Sequence, residues 1–176
     1  EALWVSRQAD PKTTVLASTN AHYTHERMSE VLGIPFENIS VNIDGTMSLN
    51  ALEKRLIDLN VRGLKATVVA TLGTTGAGAL DPLDRIITLA RKYNARVHVD
   101  AAYGGYFILA DIKAEYRIIM DAVLHADSIV IDPHKHGLQP YGCGAVLFSD
   151  PKVGRYYKHD SPYTYFTSND LHLGEI

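Results

Sequence analysis

One cysteine, Cys143, is too few for a disulfide within the chain, so any stability must come from packing and not from cross-links. No stretch approaches the eighteen or so apolar residues that a membrane-crossing helix needs, and no basic segment leading into an apolar one marks a secretory signal. Charge of one sign is also missing in excess. The 17 Lys and Arg against 20 Asp and Glu give a net charge of -3, and the basic residues are scattered, which excludes the electrostatic footprint of a nucleic-acid or anionic-membrane binder. Repeats, low-complexity tracts and linkers are absent as well. The expected setting is a soluble, reducing one, the cytoplasm.

What is present is enough apolar material for one domain: 46% of the 176 residues are hydrophobic and 21% charged. Position 1 is Glu1, and "EALWVSRQA" already reads as helix, so the chain is expected to be a piece of a longer protein. Short β-rich runs alternate with helical patterns. Strands are expected at 13–17, 39–43, 66–72, 96–100, 128–132 and 144–149, several of them apolar on both faces as buried parallel strands are. Leu49, Leu52, Leu56 and Leu59 recur at helical spacing behind Ser48 and Asn50, with Glu53 placed as in a capping box. A second helix is expected from Asp81 as N-cap and Pro82 as first residue, with Leu83, Ile86, Ile87 and Ala90 on one face. A third follows at about 115–125. Repetition of strand and helix implies an α/β fold, a mostly parallel sheet with helices on both faces. The last two strands are joined by a Gly- and Pro-containing loop without a helix, so an antiparallel strand makes the sheet mixed.

In such sheets ligands gather at the carboxyl ends of the strands. Polar residues collect there in this chain: Ser18, Thr19, Asn20 and His22 after the first strand, Thr74 and Thr75 in "GTTGAG", Asp100 after "VHV", and Asp132, His134 and Lys135 after "SIVI". An ammonium is costly to desolvate, so a lysine at the end of an apolar strand calls for a chemical reason. A lysine whose neighbours favour its neutral form attacks carbonyls to give a Schiff base, which implies an aldehyde cofactor. Pyridoxal phosphate carries that aldehyde and a ring nitrogen that must stay protonated, a state that an adjacent carboxylate favours. Asp100 fits that post, while His22 and the small Ala102 of "DAAYGG" supply walls for a flat ring.

The segments "HVDAAYGG" (98–105) and "DPHKHG" (132–137), with "NAHYTHERM" (20–28) and "TLGTTGAGALDPL" (71–83) before them, resemble the pyridoxal-phosphate-dependent group II amino acid decarboxylases. The likeness runs over nearly the whole chain, in order. It implies the large domain of the type I, aspartate aminotransferase-like fold, incomplete at both ends: residues 1–176 would be one partial cofactor-binding domain, without the phosphate-binding turn ahead of it and the small C-terminal domain. It implies that Lys135 holds the cofactor as a Schiff base, that Asp100 pairs with the pyridine nitrogen, and that His22 stacks on one ring face with Ala102 on the other. Thr74 would lie on the substrate side, and Asp132 and His134 near the phosphate. Many relatives carry asparagine where this chain has Asp132, and a second negative charge repels a phosphate dianion unless a donor such as His134 stands between. Tyr163 of "HDSPYTYF", with Tyr165 as its rival, corresponds to a loop tyrosine that delivers a proton to the α-carbon. The resemblance further implies an amino acid substrate and a homodimer. Two other reactions remain open on the residues alone, amino transfer and carbon–carbon lysis, since both use an Asp and Lys pair on this fold. A metal site from His22 and His25 or His134 and His136, and a silent dimerising scaffold, are the readings from other classes.

Overall fold

The structure, a computed structural model, describes residues 1–157. Six strands form one sheet in the order β2-β1-β3-β4-β5-β6: β1 (Thr13–Ser18), β2 (Phe36–Ile39), β3 (Lys65–Thr71), β4 (Arg96–Asp100), β5 (Ser128–Ile131) and β6 (Ala145–Phe148). All pairs are parallel except β5 with β6, the antiparallel strand expected from the short loop between them. Helices α1 (Ala2–Ala9), α2 (Thr24–Leu32), α3 (Leu49–Val61), α4 (Leu83–Lys92) and α5 (Ala114–Asp121) cover its two faces.

Strand alternation decides which face each residue serves. Leu16, Val68, Ala70, Val97 and Val99 point to one side and pack with Leu52, Leu56 and Leu59 of α3, Leu83, Ile86 and Ala90 of α4, and Met120 of α5. Val15, Ala17 and Val69 point to the other, where Leu3 of α1 and Ile34 after α2 meet them. Along β4 that second face also receives His98 and Asp100, because His98 is in register with Val69 and Asp100 with Thr71.

Three local expectations differ from the structure. The run "ISVNI" is not a strand; β1 pairs instead with Phe36–Ile39, and Val41 makes a single antiparallel bridge to Met47 across a turn. Asn42, Asp44 and Gly45 win over β-propensity there: Gly45 has φ 81°, and Asp44 accepts hydrogen bonds from the Thr46 backbone and hydroxyl. Helix α2 was not among the expected elements, beyond a helix face weighed for His22 and His25 as metal ligands. It ends at Gly33 with φ 65°, the left-handed cap that glycine supplies without strain. Ser48 does cap α3, accepting from Ala51 N, but Asp81 does not cap α4.

Asp81 is instead fully buried and ties two segments together, accepting from Met47 N at 2.6 Å and Thr71 N at 2.8 Å. Burial pushes its carboxyl up to about 6 against the pull of those two N–H groups, with Asp44 adding a little repulsion. An acid whose folded value exceeds its unfolded one holds a proton in the fold that the unfolded chain has released, so its contribution to stability is complete below the unfolded value near 3.8 and declines as pH rises through 6. Asp81→Asn removes that titration. The stability of the natural protein minus that of the variant is expected to fall by about 2 kcal/mol between pH 4 and pH 7, read from urea unfolding of the apoprotein at each pH.

Candidate active site

A register row runs across the sheet on the α1–α2 side: Thr71 of β3, Asp100 of β4, Val130 of β5 and Val146 of β6 are successive partners. These four form the floor of a cavity of about 480 Å³, whose walls include His22, His25, Gly73, Thr75, Ala102, Tyr103, Asp132 and Lys135, with Glu1, Ala2 and Leu3 at the start of α1. Val130 and Val146 are only half-buried, as residues on a cavity floor are.

Asp100 ends β4 with 8% of its surface exposed. His25 Nε2 donates to its Oδ2 at 2.8 Å and Ala102 N to its Oδ1 at 3.1 Å. Burial alone would raise the carboxyl's pKa, but the hydrogen bond and charge of His25, the Ala102 N–H and His98 together outweigh it and hold the group well below the usual carboxylate range. The site therefore presents a charged carboxylate at neutral pH. His98, one row below Asp100, shares a 2.9 Å hydrogen bond with Ser128 Oγ, and its ring meets His25 edge-on at 6.2 Å between centroids. Burial, followed by the neighbouring His25, holds His98 far below the usual imidazole range.

Lys135 lies in the turn after β5, its N–H donating to Asp132 O at 2.9 Å. Its Nζ pairs with Asp132 Oδ2 at 2.9 Å and sits 4.4 Å from the Tyr103 ring centroid, so a carboxylate and an aromatic face hold the amine at the cavity wall. His22 stands at the start of α2, where Nδ1 shares a 2.9 Å hydrogen bond with the Thr24 hydroxyl. Gly104 is what lets the segment after Asp100 fold back here: its N–H donates to Leu72 O at 2.9 Å, and a Cβ at that position would collide with the same carbonyl.

Of the residues singled out in the sequence, Lys135, Asp100, His22, Ala102 and Asp132 meet at this one cavity. Thr74 is not among its lining residues. Its Oγ1 accepts from Ala79 N within the turn and it borders a neighbouring hollow, while Thr75 is among the residues that line the cavity. His134 also stays outside the lining, with Nδ1 donating to Cys143 O at 2.6 Å and Nε2 4.0 Å from Asp132. Tyr163 and Tyr165 lie outside the described residues. Sequence reasoning passed over His98 and Tyr103 and weighed His25 only as a metal ligand. The alternation along β4 puts His98 on the face of Asp100, and that signal was available. Among the described residues no three His, Cys, Asp or Glu side chains gather as a metal site, and no helix is long and apolar enough to cross a membrane.

The donor set suits pyridoxal phosphate: a lysine amine and a buried, charged carboxylate on one cavity, with an imidazole and a methyl group among its walls. Glu1, Ala2 and Leu3 at the start of α1 line the same cavity.

Comparison with known proteins agrees. The family model described as "Pyridoxal-dependent decarboxylase conserved domain" matches residues 3–160. L-2,4-diaminobutyrate decarboxylase of Acinetobacter baumannii is 36% identical over 163 residues, 90% of this chain and 31% of the relative. L-tyrosine/L-aspartate decarboxylase of Methanocaldococcus jannaschii is 30% identical over 174 residues, 97% of this chain and 42% of the relative. Mouse CSAD superposes with a TM-score of 0.80 at 27% identity, covering 94% of this chain and 38% of that one. Oryza sativa TDC, solved with PLP and tryptamine, gives 0.83 at 25% identity over 94% of this chain and 37% of its own. The chain thus spans about a third of the length of the relatives it matches. Six strands in this order, a lysine and a carboxylate at one cavity, and a family match over residues 3–160 lead to one conclusion: the chain belongs to the pyridoxal-dependent decarboxylase family.

Proposed function

We propose that the protein containing this chain decarboxylates an L-amino acid to the corresponding amine and carbon dioxide, as a homodimer in the cytoplasm, and that residues 1–176 are most of its cofactor-binding domain. The observation that carries the reading is that Lys135 and Asp100, thirty-five residues apart, border the same cavity of about 480 Å³. Bound there, pyridoxal phosphate supplies an aldehyde that takes up amines and a protonated ring that accepts the electron pair left when carbon dioxide departs.

The chain's own residues do the rest. Lys135 Nζ is the amine that holds the cofactor and is free to give or take a proton once substrate amine replaces it. Asp132 keeps that ammonium in place beforehand, a role its 2.9 Å pairing with Nζ supports better than one at the phosphate, where its charge would repel. Asp100, charged and facing the cavity, keeps the proton on the ring nitrogen. His22 and Ala102 bound the ring's two faces, and Thr75 borders the substrate side. The bond from the α-carbon to the carboxylate breaks, carbon dioxide leaves, and one proton takes its place; Tyr163 is assigned its delivery.

Incubating the whole protein with pyridoxal phosphate and a panel of L-amino acids tests the reading. Equal amounts of carbon dioxide and amine are expected from at least one of them. Conversion to an oxo acid with no carbon dioxide released would replace decarboxylation by amino transfer.

A further inference from the structure

We infer that His25 is a positioning residue for Asp100: it fixes the plane of that carboxylate and keeps it ionised in readiness for the ring nitrogen. The inference rests on the reading of Asp100 given above and adds a residue that reading does not need. His25 reaches from the first turn of α2 to the end of β4, 75 positions away, and its Nε2 donates to Asp100 Oδ2 at 2.8 Å. Both side chains are buried, with residue exposures of 7% and 8%.

A carboxylate at the end of a strand can rotate about its last bond. Here one oxygen is held by His25 and the other by Ala102 N–H, from two different elements, so the plane is set before any ligand arrives. Each oxygen keeps a second lone pair for the cavity. The groups facing Asp100 are few. From β4 there is His98, in the row below; from β3 the Thr71 hydroxyl, which is buried, lines the cavity and makes no hydrogen bond; from α2 there is His25, which donates to it. Ala102 N–H is a single neutral donor. Without His25, burial dominates and Asp100 takes up a proton, and a neutral acid no longer favours a charged ring nitrogen. The direction in which burial pushes Asp100 supports that outcome. His25 itself is steadied by the edge-on ring of His98, which Ser128 holds from β5.

The test uses the whole protein loaded with pyridoxal phosphate labelled with 15N in the ring. His25→Phe fills the space of the imidazole without its donor, and His25→Gln keeps a donor. In H25F the cofactor dissociation constant is expected to rise about 10- to 100-fold, and the ring-nitrogen resonance to move towards that of neutral pyridine; H25Q is expected to stay near the natural protein in both. If H25F is insoluble, His25→Leu takes its place. H25F that binds cofactor as tightly as the natural protein, with the resonance unmoved, overturns the inference. Asp100→Asn separates the two levels of the argument: a resonance that moves in D100N but not in H25F sinks the role of His25 alone, whereas one that moves in neither sinks the role of Asp100 and that of His25 with it.

Discussion

Lys135→Ala in the whole protein is expected to abolish the visible absorbance that appears when pyridoxal phosphate is added, and to lower decarboxylase turnover by about 10³-fold or more. Two functions are lost together. Lys135 is the single lysine among the described residues that line the cavity, so no neighbouring ε-amine takes over the carbonyl. On the proposed reading it is also an amine free to give or take a proton once the substrate amine has replaced it. Lys135→Arg separates charge from nucleophilicity: the guanidinium keeps a cation beside Asp132 but does not attack the aldehyde. The account expects K135R to behave like K135A in absorbance and turnover. If the arginine variant keeps the visible band, the band belongs to some other amine.

Asp100→Asn is expected to lower kcat/KM by about 10²- to 10³-fold, the scale on which removing one preorganised electrostatic partner acts. The substitution is nearly isosteric, so the floor row of Thr71, Asp100, Val130 and Val146 should stand, and circular dichroism should match the natural protein. What changes is charge. The asparagine oxygen still accepts from His25 or from Ala102 N–H, but the amide presents its NH₂ to the other donor and no anion to the cavity. The loss should appear mainly in kcat, because the ring nitrogen needs the carboxylate most when the electron pair arrives. A variant with full kcat would mean that the nitrogen is held by something other than position 100.

These residues were legible because strand ends announce themselves: "VHVD" and "SIVIDPHK" each carry an apolar run into a charge, and an alternating α/β pattern tells where such ends meet. Phe36–Ile39 was not, because Glu37 and Asn38 look like loop while the neighbouring "ISVNI" looks like strand; the pairing register with Val15 to Ser18 decided it, and register is a long-range property. Asp81 before Pro82 has every local mark of an N-cap. Only the fold brings Met47 N and Thr71 N within reach of its side chain and turns a surface cap into a buried tie. That Thr75 and not Thr74 lines the cavity was not legible for a similar reason, since the turn that ends at Ala79 decides which of two adjacent hydroxyls is spent on backbone. His25 was visible as a histidine but not as a partner, because its carboxylate lies 75 residues along the chain.

The account stands most directly on which amine carries the cofactor. Borohydride reduction of the whole protein loaded with pyridoxal phosphate fixes the group to that amine, and peptide mass mapping then locates it. The adduct is predicted on the peptide containing Lys135 and on that residue within it; an adduct on another lysine, with Lys135 recovered unmodified, would contradict the account.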